Sequence, residues 1–166
     1  MSFRPSFSNS LLFSTILVIV VLLGMSGFFL VLNHQYRDRG GVHYMFLAGA
    51  CVMILMVLGS FGFRIRYYEI NSGNLIVKTG FSEKAFPLQG LESARVQERP
   101  FSGARKVAGM GGVWSYYGSF RSSSLGEFHA YAASTSSGVL LSWPDKKVLV
   151  TPEDSAGFIA AARPGQ

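Results

Sequence analysis

The hydrophobic pattern divides the chain near residue 63. Two runs carry no charge when His43 is counted as neutral: Leu11 to Leu32 (LLFSTILVIVVLLGMSGFFLVL) and Val42 to Phe63 (VHYMFLAGACVMILMVLGSFGF). Each, as a helix rising 1.5 Å per residue, is about 33 Å long, enough to cross a hydrocarbon core of about 30 Å. Both are expected to be transmembrane helices. The first is longer than the apolar part of a signal peptide, and no small-residue cleavage pattern ends it. Residues 33–41 (NHQYRDRGG) are short and polar. The pattern therefore predicts an antiparallel helical hairpin, preceded by a tail at residues 1–10. The tail and everything after Phe63 then lie on one side of the membrane.

After Phe63 the pattern changes to short segments rich in β-branched and aromatic residues, separated by turn residues. That is an all-β signature for residues 64–166, with a core of their own. Strands are expected at 64–70 (RIRYYEI), 75–79 (LIVKT), 81–86 (FSEKAF), 92–97 (ESARVQ), 126–133 (GEFHAYAA), 139–143 (VLLSW) and 147–150 (KVLV). Between the first two, Asn71-Ser72-Gly73-Asn74 reads as a tight turn in which Gly and Asn supply positive φ. Ser134 to Gly138 is a second turn, and Pro144-Asp145-Lys146 closes a hairpin. A terminal helix follows. Thr151 suits the cap, Pro152 the first helical position, and Asp154 lies three residues after the cap. Phe158, Ile159 and Ala162 form its apolar stripe, and Arg163-Pro164-Gly165 ends it.

About seven strands and one helix in about a hundred residues is the plan of a pleckstrin-homology-like (PH-like) domain. YYEINSGNLIVKTGFSEKAFPLQGLESARV resembles the opening of bacterial PH-like domains, with a strand, a tight turn, a second strand ending in Gly, and a Pro-Leu…Leu segment. GSFRSSSLGEFHAYAASTSSGVLLSWPDKKVLVTPEDSAGFIAAA resembles one subgroup of them. The resemblance covers about residues 65–163. It implies a membrane α-helical hairpin followed by an all-β PH-like sandwich or barrel. Eukaryotic PH domains that bind phosphoinositides cluster Lys and Arg around the first hairpin. Here only Lys78 lies near that turn, so the resemblance does not carry inositide recognition over.

The segment GMGGVWSYYGSF, residues 109–120, raises the question of a phosphate-binding loop. A dinucleotide fingerprint needs Gly-x-Gly-x-x-Gly between a strand and a helix, but Trp114 holds the third glycine position and no helical pattern follows. A P-loop would end in Gly-Lys-Ser/Thr, and Trp114-Ser115 stands there instead. The reading left is a long, loop-like excursion between sheets, its glycines permitting turns or bulges. Its aromatics, Trp114, Tyr116, Tyr117 and Phe120, are either plugs in the core or a contact surface for a partner.

Charge and candidate chemistry narrow the function. From Arg64 onward 12 Lys/Arg stand against 8 Asp/Glu, but they are scattered and no recognition helix is present, which argues against nucleic acid. Of the three histidines only His129 is in the β region. With Glu127 and Tyr131 on its strand face it offers a metal two ligands at best. No serine lies in a nucleophile elbow, and Glu153-Asp154 is explained by the helix start. No catalytic residue, cofactor or metal is expected. Cys51 lies within the second apolar run, so the fold needs no disulfide. Arg4, Arg64 and Arg66 flank the helices on the terminal side, against Arg37 and Arg39 in the linker. That small excess favours cytoplasmic termini in a bacterial inner membrane. Arg64 and Arg66 are also candidates for contact with anionic lipid head groups. The sequence thus points to a non-catalytic membrane protein whose PH-like domain binds a protein partner or a second copy. The alternative is a small oligomeric channel or transport accessory whose hairpins line a pore, with Ala48, Gly49, Ala50 and Ser60 small enough for close helix contact.

Overall fold

The computed structural model describes residues 1–162; the helix stop expected at Arg163-Pro164-Gly165 lies outside them. The two apolar runs form helices α1 (Asn9–Gln35) and α2 (Val42–Ser60), the latter continued by a 3-10 turn at Phe61–Phe63. Ser8 caps α1, accepting the Leu11 N–H at 3.3 Å. Only 11% of the most apolar window of each helix is buried within the protein. A core helix would be mostly buried; these expose apolar side chains and fit a transmembrane hairpin. They pack on each other through small residues. Ala50 is buried and its carbonyl accepts a hydrogen bond from Ser26 Oγ at 3.3 Å. The Phe29 ring lies over Gly49, where an added Cβ would stand 3.2 Å from the ring. Of the small residues expected to allow close helix contact, Gly49 and Ala50 make it within this one hairpin.

The rest is a sandwich of two sheets with a helix. The first sheet is antiparallel, in the order β1 (Ser2–Phe3), β2 (Ile65–Asn71), β3 (Asn74–Thr79), β4 (Glu83–Pro87). The second contains β5 (Ser93–Glu98), β6 (Arg105–Val113), β7 (Ser115–Ser122), β8 (Gly126–Ala132), β9 (Ser137–Ser142) and β10 (Lys147–Val150). Its order is β5-β9-β10-β8-β7-β6. The β9–β10 hairpin closes at the expected turn, the Trp143 N–H donating to the Lys146 carbonyl at 2.8 Å. β10 then inserts beside β8 and runs parallel to it, so β8 and β9 are not neighbours. Helix α3 (Ser155–Ala162) packs Phe158 and Ala162 into the core.

Among the described residues ten strands replace the seven expected, and the three additions come from segments read otherwise. β1 lies in the tail. It pairs with β2 at Ser2↔Glu69 and Phe3↔Tyr68, and the Met1 ammonium donates to the Ile70 carbonyl at 2.8 Å. β6 and β7 are the glycine-rich stretch, which is a long antiparallel hairpin rather than a loop. Two finer expectations also change. In the first tight turn the positive φ angles belong to Ser72 (49°) and Gly73 (74°), not to an Asn. The cap of α3 is Asp154, whose Oδ1 accepts the Gly157 N–H at 2.9 Å; Thr151 lies inside the core instead.

The central strands β9 and β10 are buried on both faces, which explains their continuous apolar runs. Val139, Leu141, Val148 and Val150 face the first sheet and α3, together with Tyr68, Leu75, Val77 and Phe158. Leu140 and Leu149 face the other way, onto Phe120, Phe128 and Leu125.

One polar node crosses the main core. The Tyr68 hydroxyl donates to the Tyr131 carbonyl at 2.7 Å and accepts the Thr151 N–H at 3.2 Å. Thr151 Oγ1 accepts the Ala133 N–H at 2.8 Å, and the Thr151 carbonyl accepts the Ser6 N–H at 2.8 Å. Burial pushes the Tyr68 phenol up from 10.0 to about 12, against smaller opposing effects from Thr151. The folded value exceeds the unfolded one. The associated stability is therefore complete below about pH 10 and is lost as pH rises through about 12. Two units correspond to roughly 2–3 kcal/mol. Tyr68→Phe should cost about 1–3 kcal/mol at neutral pH by orphaning the Thr151 N–H. It should also flatten part of the alkaline loss. Thermal unfolding in detergent between pH 8 and 12 checks both; unchanged neutral stability would show that the node is dispensable.

Candidate functional site

The β6–β7 hairpin reaches from the domain to the helices, and its tip is Trp114. The hairpin needs its glycines. Gly109 (φ 110°) and Gly118 (φ 129°) face each other across the two strands. A Cβ on Gly109 would overlap the Tyr117 carbonyl oxygen, and one on Gly118 would overlap that of Ala108. The glycines thus serve close strand approach next to a bulge, and no phosphate cradle is formed.

At the tip, Trp114 takes a left-handed conformation (φ 59°) and wedges between the domain-side ends of both membrane helices. Its backbone N–H donates to Thr15 Oγ1 at 2.9 Å, and its indole N–H donates to Ser60 Oγ at 3.0 Å. Ser14 Oγ donates to the Gly112 carbonyl at 2.8 Å, and Ser115 Oγ to the Phe63 carbonyl at 2.8 Å. The Phe61 ring lies 4.8 Å from the indole. The Arg64 guanidinium sits 5.5 Å over Trp114 and 5.2 Å over Phe7. Indole at the end of a membrane span satisfies its N–H on polar groups while burying its ring. The polar residues that receive it, Ser14, Thr15 and Ser60, interrupt the apolar runs near their domain-side ends. They are the sequence signal of this joint, and reading the runs only for length passes over them.

The other aromatics of the stretch divide between the two faces of β7. Phe120 is buried in the outer core with Phe128 and Phe101. Tyr116 is half-buried beside Phe101, with ring centroids 4.6 Å apart. Tyr117 is half-buried on the opposite face, edge-on to Tyr131 at 5.0 Å. On that same face Ser119 meets His129 at 3.0 Å and Arg121 pairs with Glu127 at 2.8 Å, so the β8 residues Glu127, His129 and Tyr131 face three β7 partners in turn. Arg121 holds the Glu127 carboxyl below its ordinary value. Burial, with Tyr117 adding, pushes the Tyr131 phenol up to about 12. His129 is occupied by Ser119, and among the described residues no three His, Cys, Asp or Glu side chains converge as a metal site.

β6 forms a free edge of the second sheet. Arg105 to Gly111 are exposed, whereas Gly112 and Val113 are half-covered where α1 approaches. At the first hairpin of the domain, Lys78 pairs with Glu83 at 3.0 Å and lies over the Tyr67 ring. Glu83 foremost, then Tyr67, raises the lysine's pKa.

The architecture is that of a membrane-anchored PH-like domain, two sheets and a closing helix carried on a helical hairpin. The family model for the bacterial PH domain matches residues 66–164, and the chain belongs to that family. No curated protein and no solved structure matches the chain. PH-like domains are generally non-catalytic.

If Trp114 is the wedge, Trp114→Phe should cost about 1 kcal/mol through the lost Ser60 hydrogen bond. Trp114→Ala should cost about 2–4 kcal/mol through lost packing as well. Gly109→Ala, forced to keep positive φ against a carbonyl, should cost about 1–3 kcal/mol. Unfolding midpoints of the full chain in detergent measure all three. Wild-type midpoints for both Trp114 variants would mean that the helices and domain are not joined here.

Proposed function

We propose that this is a non-catalytic protein of the bacterial inner membrane. It holds its PH-like domain at the cytoplasmic face as a docking surface for a protein partner or for a second copy of itself. The observation that carries the reading is the open edge of β6. Native proteins usually blunt such edges with charge, proline or a covering segment. Here Arg105 and Lys106 guard only one end. Val107 and Met110 are exposed at 55% and 40%, and Gly109 and Gly111 leave the backbone bare to an approaching strand. Strand addition to a sheet edge is a recurring mode of peptide recognition. Tyr116 and Tyr117, half-exposed on the adjoining strand, supply the aromatic contacts. Trp114 and Phe120 hold the edge in place from within.

The cytoplasmic orientation rests on the three arginines at the domain-side helix ends, Arg4, Arg64 and Arg66, against Arg37 and Arg39 in the opposite linker.

Two measurements test the proposal. Val107→Lys with Met110→Lys should abolish cross-linked assemblies in native membranes. Stability should change by no more than about 0.5 kcal/mol, because both side chains are exposed. Assemblies that persist unchanged would remove β6 as the docking edge. A periplasm-active reporter fused after the domain should be silent; strong activity would reverse the orientation.

A further inference from the structure

The membrane joint carries a second feature that the docking edge does not use. Beside Trp114 an open cavity of about 550 Å³ lies between the helix ends and the domain. Arg4, Arg64 and Arg66 line it, with Glu153 as the one carboxylate and Phe7 and Phe61 as apolar walls. These residues come from four segments: the tail, the 3-10 turn, β2 with the residue before it, and the link between β10 and α3. Folding alone collects the three guanidiniums.

We propose that this cavity binds the phosphate of an anionic phospholipid from the leaflet on the domain's side. Three properties of the site support it. First, the arginines are available. The ion pairs of the described residues are Lys78–Glu83 and Arg121–Glu127, and Arg4, Arg64 and Arg66 take part in neither. Secondly, Arg64 is positioned before any ligand arrives, its guanidinium carbon 5.2 Å from the Phe7 ring centroid and 5.5 Å from that of Trp114. A guanidinium held over aromatic rings by cation–π attraction can still present N–H donors to an oxyanion. Thirdly, the cavity opens where α1 begins and α2 ends, the depth at which head groups lie. Phe61, 48% exposed, stands at the same helix exit. A soluble anion would use the guanidiniums but would leave the apolar walls uncovered. A lipid phosphate uses both, its glycerol and first methylenes lying against Phe7 and Phe61. Glu153 lowers the site's charge from three to two, which suits one phosphate rather than a polyphosphate.

Each basic residue near an anionic surface strengthens attraction roughly fivefold. The test uses the full chain in detergent, titrated separately with phosphatidylglycerol, phosphatidylcholine and free glycerol phosphate. Native mass spectrometry counts bound molecules. Phosphatidylglycerol should bind in preference to both others. R4Q/R64Q/R66Q should weaken it about a hundredfold, whereas K84Q/R95Q/R99Q, which removes three charges elsewhere on the domain, should change it less than about threefold. Should the pocket triple fail to fold, E153Q gives an independent readout. Among the described residues its side chain makes no ion pair, and the substitution should tighten phosphatidylglycerol binding about fivefold. Equal weakening by both triples, or no tightening by E153Q, would overturn the site. Equal affinity for phosphatidylcholine would overturn the role of net charge. Equal affinity for glycerol phosphate would move the ligand from the bilayer to solution and overturn the lipid assignment.

Discussion

Thr151 joins three parts of the molecule that would otherwise be separate. Its N–H reaches Tyr68 in the first sheet, its hydroxyl takes the Ala133 N–H at the end of β8, and its carbonyl takes the Ser6 N–H of the tail. The residue is buried, so each of these polar groups needs its partner. Without the node the two sheets would meet through apolar contact, which does not fix register, and through the Trp143 indole N–H, which donates to the Pro87 carbonyl at 3.1 Å. The tail is fastened from both sides of it. Ser8 N–H donates to the Ala133 carbonyl at 3.0 Å, Glu153 N–H donates to the Arg4 carbonyl at 2.8 Å, and Pro5 bridges to Pro152.

This fastening changes what the membrane hairpin is. Phe3 and Ile65 lie on adjacent strands of one sheet, so the chain leaves the sheet, crosses and recrosses the bilayer, and returns to the next strand. The hairpin is an insertion within the PH-like sandwich, not a flexible anchor ahead of it. Trp114 adds a third tie from the far sheet. Three points of attachment hold the domain in one orientation, with the β6 edge running outward from the joint. A movement of the helices against one another would reach Thr15 and Ser60 together, and through Trp114 would reach β6.

The proposed docking edge and the proposed head-group cavity therefore share a support. Arg64 lines the cavity and stacks on Trp114, and Trp114 terminates the hairpin whose outer strand is the edge.

The membrane helices, seven of the strands and the α/β division were legible because each depends on local pattern. A run of 22 uncharged residues can satisfy its backbone in lipid only as a helix, and the strands announce themselves by composition and turns. The PH-like family was legible for the same reason, its motifs being short segments in a fixed order. What the sequence hid was every feature set by partners distant along the chain. Ser2–Phe3 has no strand signal of its own and is a strand only because β2 offers an edge. Thr151 has the local chemistry of a helix cap, but the buried Ala133 N–H and Tyr68 hydroxyl claim it and leave the cap to Asp154. The glycine stretch reads as a loop because Gly weakens strands, yet Gly109 opposite Gly118 lets two strands approach closer than any side chain permits. Arg4 and Arg64 lie 60 positions apart and share a cavity only because the tail and β2 pair. Local pattern fixes which elements form, whereas burial and unsatisfied hydrogen bonds, which only the assembled fold defines, decide what each residue does.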